Sequence, residues 1–175
     1  MTLAKSCYVL DAGAIEARID ELCDVLTDCV TRGASVSFVL PFTCSKARAF
    51  WHDVAQSAGR GDRVVLALDN PSGVIVGTVQ LILKQPENQP HRADVAKLLV
   101  HSSARRQGFA RQLMTALETC AIQQQKTQLV LDTATGSDAE LFYHSCGWRK
   151  AGEIPDYALM PDGKLTGTTL FYKSL

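Results

Sequence analysis

The segment "RRQGFARQL", Arg105 to Leu113, sets three arginines around one glycine and runs into an apolar helical face. A strand that ends in such a turn and passes into a helix makes an anion site. The first N–H groups of a helix have no partner inside it and lie at the positive end of its dipole. Phosphates bind there readily. Gly108 lets the backbone approach an anion with no Cβ between them. Arg105, Arg106 and Arg111 can add charge-assisted bonds to phosphate oxygens. The same nine residues also suit a solvated helix start whose arginines face water. No G-K-[ST] follows the glycine, which argues against a magnesium nucleoside-triphosphate loop. The G-x-G-x-x-G of a dinucleotide fold is also missing.

Other reactive residues narrow the chemistry further. The cysteines are Cys7, Cys23, Cys29, Cys44, Cys120 and Cys146. They contain no C-x-x-C pair and no His-rich neighbourhood, so no metal site is expected. Cys23, Cys29 and Cys120 fall on apolar helical faces and read as buried thiols. None stands in an evident Cys-His arrangement, so a covalent cysteine step is not expected. His91, His101 and His144 read as surface or helix histidines.

The elements that must position these groups fit one domain over residues 1–175, with 46% hydrophobic and 21% charged residues. Eighteen basic residues balance eighteen acidic ones, which argues against a general nucleic-acid binder. The most apolar run, "VIVGTVQLILK", is far shorter than the roughly 20 residues of a membrane span. The stretch "MTLAKSCYVLDAGAIEA" lacks the character of a signal peptide. A reduced, cytoplasmic setting is therefore expected, with the chain a monomer or homodimer.

Residues 14–31 carry Ile15, Ile19, Leu22, Leu26 and Cys29 at helical spacing, with Gly33 as a stop. "GASVSFVLP" reads as a short strand or a loop. Residues 45–57 suggest a second helix with Ser45 as N-cap. "RVVLALD" and "VIVGTVQLILK" flank the turn "NPSG" and form a hairpin. "DVAKLLV" is a third strand, directly before the arginine-glycine turn. A helix then runs from Gly108 to about Gln124, with Phe109, Leu113, Leu117 and Cys120 on one face. "QLVLDT" is a strand, and residues 137–146 a helix capped by Ser137 and stopped by Gly147. Two last strands, roughly 148–158 and 166–173, flank "PDG". The order is α-α-β-β-β-α-β-α-β-β, a mixed α/β arrangement with a sheet covered by helices.

"LLVHSSARRQGFARQLM" resembles the acetyl-CoA signature of the GCN5-related N-acetyltransferases (GNAT): a strand ending in valine, a linker, then Arg/Gln-x-x-Gly-x-Gly/Ala. Arg105, Gly108 and Ala110 match it. "GASVSF", "HRADVAKLLV", "LDTATGSDAELFYHSCGW" and "PDYALMPDGKLTGTTLFYKSL" look most like the tabtoxin-resistance type of that family. The resemblance implies an α/β (α+β) fold with a mixed, mostly antiparallel, splayed sheet flanked by helices. It implies an acetyl-CoA-dependent N-acetyltransferase acting by direct transfer to a small amine, for the tabtoxin-resistance type an amino-acid-like β-lactam antimetabolite.

The resemblance also assigns roles. The backbone of Leu98, Leu99 and Val100 would pair with the pantetheine arm. The amides from Arg106 through Gln107, Gly108, Phe109 and Ala110 to Arg111 would hold the pyrophosphate, with Arg105 beside them. Tyr143, in "AELFYHSCGW", matches the family's A-x-x-x-Y block and would serve the leaving thiolate. Many members carry asparagine where this chain has Gly136, which puts an Asn-mediated cofactor contact in doubt.

Asp94 and Asp132 would flank the gap between two splayed strands and take the proton of the amine or hold the ammonium. Strand-end aspartates also commonly cap turns. Adjacent helical residues point in different directions, so His144 is not expected in the pocket of Tyr143. Phe38 is a candidate substrate contact. Two rival readings stay open: an acetyltransferase for protein N-termini or lysines, and a non-catalytic acetyl-CoA sensor.

Overall fold

The valine- and leucine-rich runs pair as strands, and the glycines close most of the helices where the sequence suggests. The computed structural model describes residues 7–175. Residues 1–6, part of the stretch tested above for signal-peptide character, lie outside the described residues.

The chain enters through a short strand, β1 (Tyr8–Leu10), which the residue pattern did not suggest. Two helices follow, α1 (Ala12–Ala17) and α2 (Ile19–Thr31), in place of one continuous helix. The break falls at Arg18. Its guanidinium donates to Glu21 Oε2 (2.6 Å) and the Gly73 carbonyl (2.8 Å), contacts that hold the bend. Helix α3 (Cys44–Gly59) is capped by Thr43, whose hydroxyl accepts from the Lys46 N–H, rather than by Ser45. "GASVSFVLP" is a loop, not a strand.

Strands β2 (Arg63–Asp69), β3 (Ile75–Ile82) and β4 (Arg92–Val100) form an antiparallel meander. A 3₁₀ turn at Ser102–Ala104 leads into helix α4 (Phe109–Gln123). Strand β5 (Gln128–Ala134), helix α5 (Asp138–Ser145) and strands β6 (Arg149–Leu159) and β7 (Leu165–Ser174) complete the chain. Among the described residues the sheet has seven strands in the order β1-β2-β3-β4-β5-β7-β6. Every pairing is antiparallel except β4 with β5. The mixed, mostly antiparallel sheet expected above is therefore present.

Each face of the sheet carries its own core. Helix α4 covers one, with Leu113, Met114 and Leu117 against Val79, Leu81, Leu129 and Phe171. Helices α1 to α3 cover the other, with Leu22, Leu26 and Trp51 against Val65, Ala67 and Leu99. Gly77 lets α4 approach β3 closely: a Cβ there would stand 3.0 Å from Leu113 Cδ1. The α4 start is thereby held over the end of β4.

Two irregularities of β4 make the functional geometry. It pairs with β5 only from Arg92 to Asp94, opposite Gln128 to Val130. Beyond that point β4 stays with β3 while β5 stays with β7, so the strands part. Opposite Val79, β4 also inserts an extra residue: Thr78 pairs with Leu99 but Gln80 with Ala96. This is a β-bulge, and Lys97 sits in it at φ +53°. The bulge reverses the alternation of side chains. Val95 belongs to the α4 core, yet Leu99, four residues on, belongs to the opposite core.

Candidate active site

The gap between β4 and β5 opens into a cleft of about 740 Å³. Residues Val95 to Val100 of β4 form one wall, and Asp132, Thr133 and Ala134 of β5 form the other. The start of α4, the start of α5, the loop from Gly33 to Ser37 and the β6–β7 hairpin close its ends. The Leu40 N–H donates to the Pro161 carbonyl (2.9 Å) and ties that loop to the hairpin.

At the α4 end, Gly108 is the N-cap, in the left-handed region at φ +79°. A Cβ there would meet nothing within 4 Å, so the turn requires glycine for its conformation and not for space. The first α4 bond of this turn runs from the Gln112 N–H to the Gly108 carbonyl (3.1 Å). The amides of Phe109, Ala110 and Arg111 therefore precede the helical ladder and have no acceptor in it. Arg105, Arg106 and Ala110 line the cleft.

The remaining turn residues do other work. Arg111 donates to the Ser145 carbonyl (3.3 Å) and to Ser145 Oγ (3.0 Å), so its guanidinium ties α4 to α5 instead of reaching the cleft. Phe109 packs on the core, and the Gln107 amide leans back on the Ser103 carbonyl (3.5 Å). Replacing Gly108 with valine is expected to cost about 1–2 kcal/mol of turn stability. Calorimetry should then show acetyl-CoA binding weakened by about tenfold, roughly the same free energy. Parent affinity in that variant would dissociate the turn from the phosphates.

Helix α5 delivers Tyr143 to the cleft wall. Its ring is 8% exposed and packs against Trp148 and Phe171 at centroid distances of 6.1 and 6.0 Å. Its hydroxyl has no hydrogen-bond partner among the described residues. Burial, with smaller contributions from the Cys146 thiol and Asp132, pushes the phenol above its ordinary range. It stays protonated at neutral pH. His144 turns to Phe171 (ring centroids 5.0 Å apart) and does not line the cleft.

The α5 cap differs from expectation. Ser137 is the N-cap residue but makes no side-chain cap bond. Glu140 Oε2 instead accepts the Gly136 N–H (2.6 Å). The Ser137 hydroxyl is left buried and without a partner among the described residues, on the cleft wall.

The two aspartates part company. Asp132 lies two residues past the last β4–β5 pair and lines the cleft. Thr168 Oγ1 donates to its Oδ2 (2.7 Å) and fixes its orientation. Asp94 belongs to that last pair and lies outside the cleft lining. Its carboxylate is held by Arg92, and Gln85 Nε2 donates to it at 3.0 Å. The register thus puts Asp94 in the last joined pair, at the foot of the gap, and Asp132 two residues past its partner Val130.

Phe38 also stands back from the wall, which Val36 and Ser37 form. Its ring packs with Phe42 and Phe50 at 4.7 and 5.4 Å. On the same α1–α3 side of the sheet, Cys29 is the cysteine that reaches the cleft. Burial raises its thiol, only partly offset by Arg105, and its Sγ is 3.5 Å from the Val100 carbonyl. A protonated buried thiol is a poor nucleophile.

The family model described as an acetyltransferase (GNAT) domain matches residues 60–150, the stretch from β2 through the cleft to β6. The chain belongs to the GNAT acetyltransferase family. Solved GNAT-type structures superpose over nearly the whole chain. An N-acetyltransferase from Staphylococcus aureus Mu50 aligns with TM-score 0.78 and 16% identity, covering 97% of this chain and 98% of its own. A ribosomal-protein-alanine N-acetyltransferase from Brucella melitensis aligns at 0.76 and 19%, covering 97% and 99%. The yncA protein of Salmonella typhimurium, solved with its cofactor acetyl-CoA, aligns at 0.72 and 16%, covering 98% and 94%. At such identities these structures share the fold with this chain.

As a GNAT member the protein is an acyltransferase that uses acetyl-CoA as cosubstrate. The cleft suits that molecule. Helix-start amides and two arginines stand at one end, and the open edge of β4 carries main-chain donors and acceptors. Lys97, Ser37 and Thr168 also line this GNAT cleft and were not singled out in the sequence. The only signal for Lys97 was a charge in the apolar run from Val95 to Val100, and "DVAKLLV" does not reveal a bulge.

Proposed function

We propose that the enzyme transfers the acetyl group directly from acetyl-CoA to a small amine, with Asp132 and Tyr143 as its catalytic residues. Acetyl-CoA supplies an activated thioester. A main-chain N–H of the Leu98–Val100 edge binds the acetyl oxygen and steadies negative charge as the amine adds. Asp132 accepts the ammonium proton, directly or through a water, while the Thr168 hydroxyl donates to its Oδ2. The thiolate leaves hydrogen-bonded to the Tyr143 hydroxyl.

The amides at the start of α4, with Arg105 and Arg106, take the pyrophosphate. One observation carries the reading: Asp132 and Tyr143 line the same cleft as the open edge of β4. The high-pKa thiol of Cys29 favours direct transfer over an acetyl-cysteine route. The likeness of four segments to the tabtoxin-resistance type favours an amino-acid-like acceptor, a β-lactam antimetabolite among the candidates.

The test is thiol release from acetyl-CoA with a panel of small amines, amino acids and short peptides. Release with small acceptors supports the reading. Release with peptides alone moves it to protein acetylation, and acetyl-CoA binding without release to any of them makes the protein a sensor.

A further inference from the structure

Lys97 is a charged residue that transfer chemistry does not use. The β4 bulge turns its side chain onto the α1–α3 side of the sheet, where its Nζ donates to Ser37 Oγ (3.0 Å). The same Nζ lies 5.9 Å from the centroid of Phe38 and 5.8 Å from that of Phe50. It makes no ion pair among the described residues. Lys97 is half-buried, and partial desolvation of an ammonium that makes no ion pair is costly. Two aromatic faces and one hydroxyl offset part of that cost. Burial and then the Arg63 guanidinium press this amine toward its neutral form, against the pull of Asp132. A ligand carboxylate beside it would restore the charge.

Lys97, Ser37 and Asp132 all line the cleft, a cation with a hydroxyl donor on one wall and a carboxylate on the other. Resting on the transferase reading above, we infer that Lys97 and Ser37 form a carboxylate subsite, and that the acceptor is a zwitterionic amino acid. Its ammonium faces Asp132 and its carboxylate faces Lys97. The two carboxylate oxygens take Lys97 Nζ and Ser37 Oγ, one each. Phe38, Phe42 and Phe50 act behind the wall: they fix the position of the ammonium and keep water from its stem.

The experiment compares matched acceptors at saturating acetyl-CoA: L-leucine with 3-methylbutylamine, and L-lysine with cadaverine. Each pair differs by one carboxylate. The parent enzyme is expected to favour the amino acid of at least one pair in kcat/KM. In Lys97→Met that preference should fall by about 30-fold, the scale of one charged hydrogen-bonded contact, with the change in KM. Lys97→Arg keeps the charge and should retain most of the preference, which separates recognition from folding. A parent enzyme indifferent to the carboxylate, or a preference that survives in Lys97→Met, overturns the subsite. Transfer to peptides alone overturns it while leaving the chemistry of Tyr143 and Asp132 standing. Transfer to no amine or peptide overturns the transferase reading, and the subsite with it.

Discussion

Tyr143→Phe is expected to lower kcat about 100-fold while leaving the dissociation constant of acetyl-CoA within about twofold, the cost of losing one donor aimed at developing charge. The substitution removes one oxygen and keeps the ring. Contacts with Phe142, Trp148 and Phe171 therefore survive, and folding should be little affected. Among the described residues the hydroxyl has no partner to strand, so no other buried group there loses its bond. Its raised pKa decides how it acts. A thiol ionises near 8.5, so full proton transfer from a buried phenol to a thiolate runs uphill. The phenol serves best as a hydrogen-bond donor that stabilises the departing sulfur. For the same reason kcat should show no alkaline limb from Tyr143 below about pH 10, the reference value for a phenol. Stopped-flow thiol release and equilibrium titration of acetyl-CoA separate the two effects. Lost affinity with unchanged turnover would overturn the assignment.

Asp132→Asn should reduce kcat/KM by about 100-fold at neutral pH, and the deficit should shrink to a few-fold near pH 10. An alkyl ammonium has a pKa near 10.4, so only about one molecule in 2,500 is free amine at pH 7. A carboxylate in the cleft can take that proton after binding; an amide cannot. Raising pH supplies the free amine from solution and makes the base dispensable. Asparagine retains an oxygen to accept the Thr168 hydroxyl, so the geometry is conserved and only the charge is lost. A constant ratio between variant and parent across pH would show that Asp132 positions the acceptor without accepting its proton. Equal activity across pH would remove it from the mechanism.

Asp94 sharpens that test. From the chain alone the two acids look alike, each near the end of a short apolar strand. The parallel register of Asp94 with Val130 distinguishes them. Register is a relation between segments some 36 residues apart, and neither segment encodes it locally. Lys97 makes the same point. "DVAKLLV" alternates in no way that announces a two-against-one bulge, because Thr78 and Gln80 on another strand define it. Without the bulge Lys97 would continue the Val95 face, into the α4 core.

What was legible lay in contiguous residues. Gly108 followed by Phe109, Leu113, Leu117 and Cys120 spells a turn and an amphipathic helix, because left-handed backbone favours glycine and helical faces repeat over a few residues. The strands around "NPSG" and the stop at Gly147 are local in the same sense. The split at Arg18 was hidden because the helical apolar spacing continues through it, and one of the contacts that hold the bend comes from Gly73, far along the chain.

The chain's own order of residues thus carries the α/β class, the glycine turn before α4 and the tyrosine helix, since each depends on neighbours within a few positions. The pairing of β4 with β5, the bulge under Lys97 and the place of Asp94 in the last joined pair arise from contacts between distant segments. Those contacts exist only when the sheet is assembled, and they determine which charged groups face one another across the acetyl-transfer cleft.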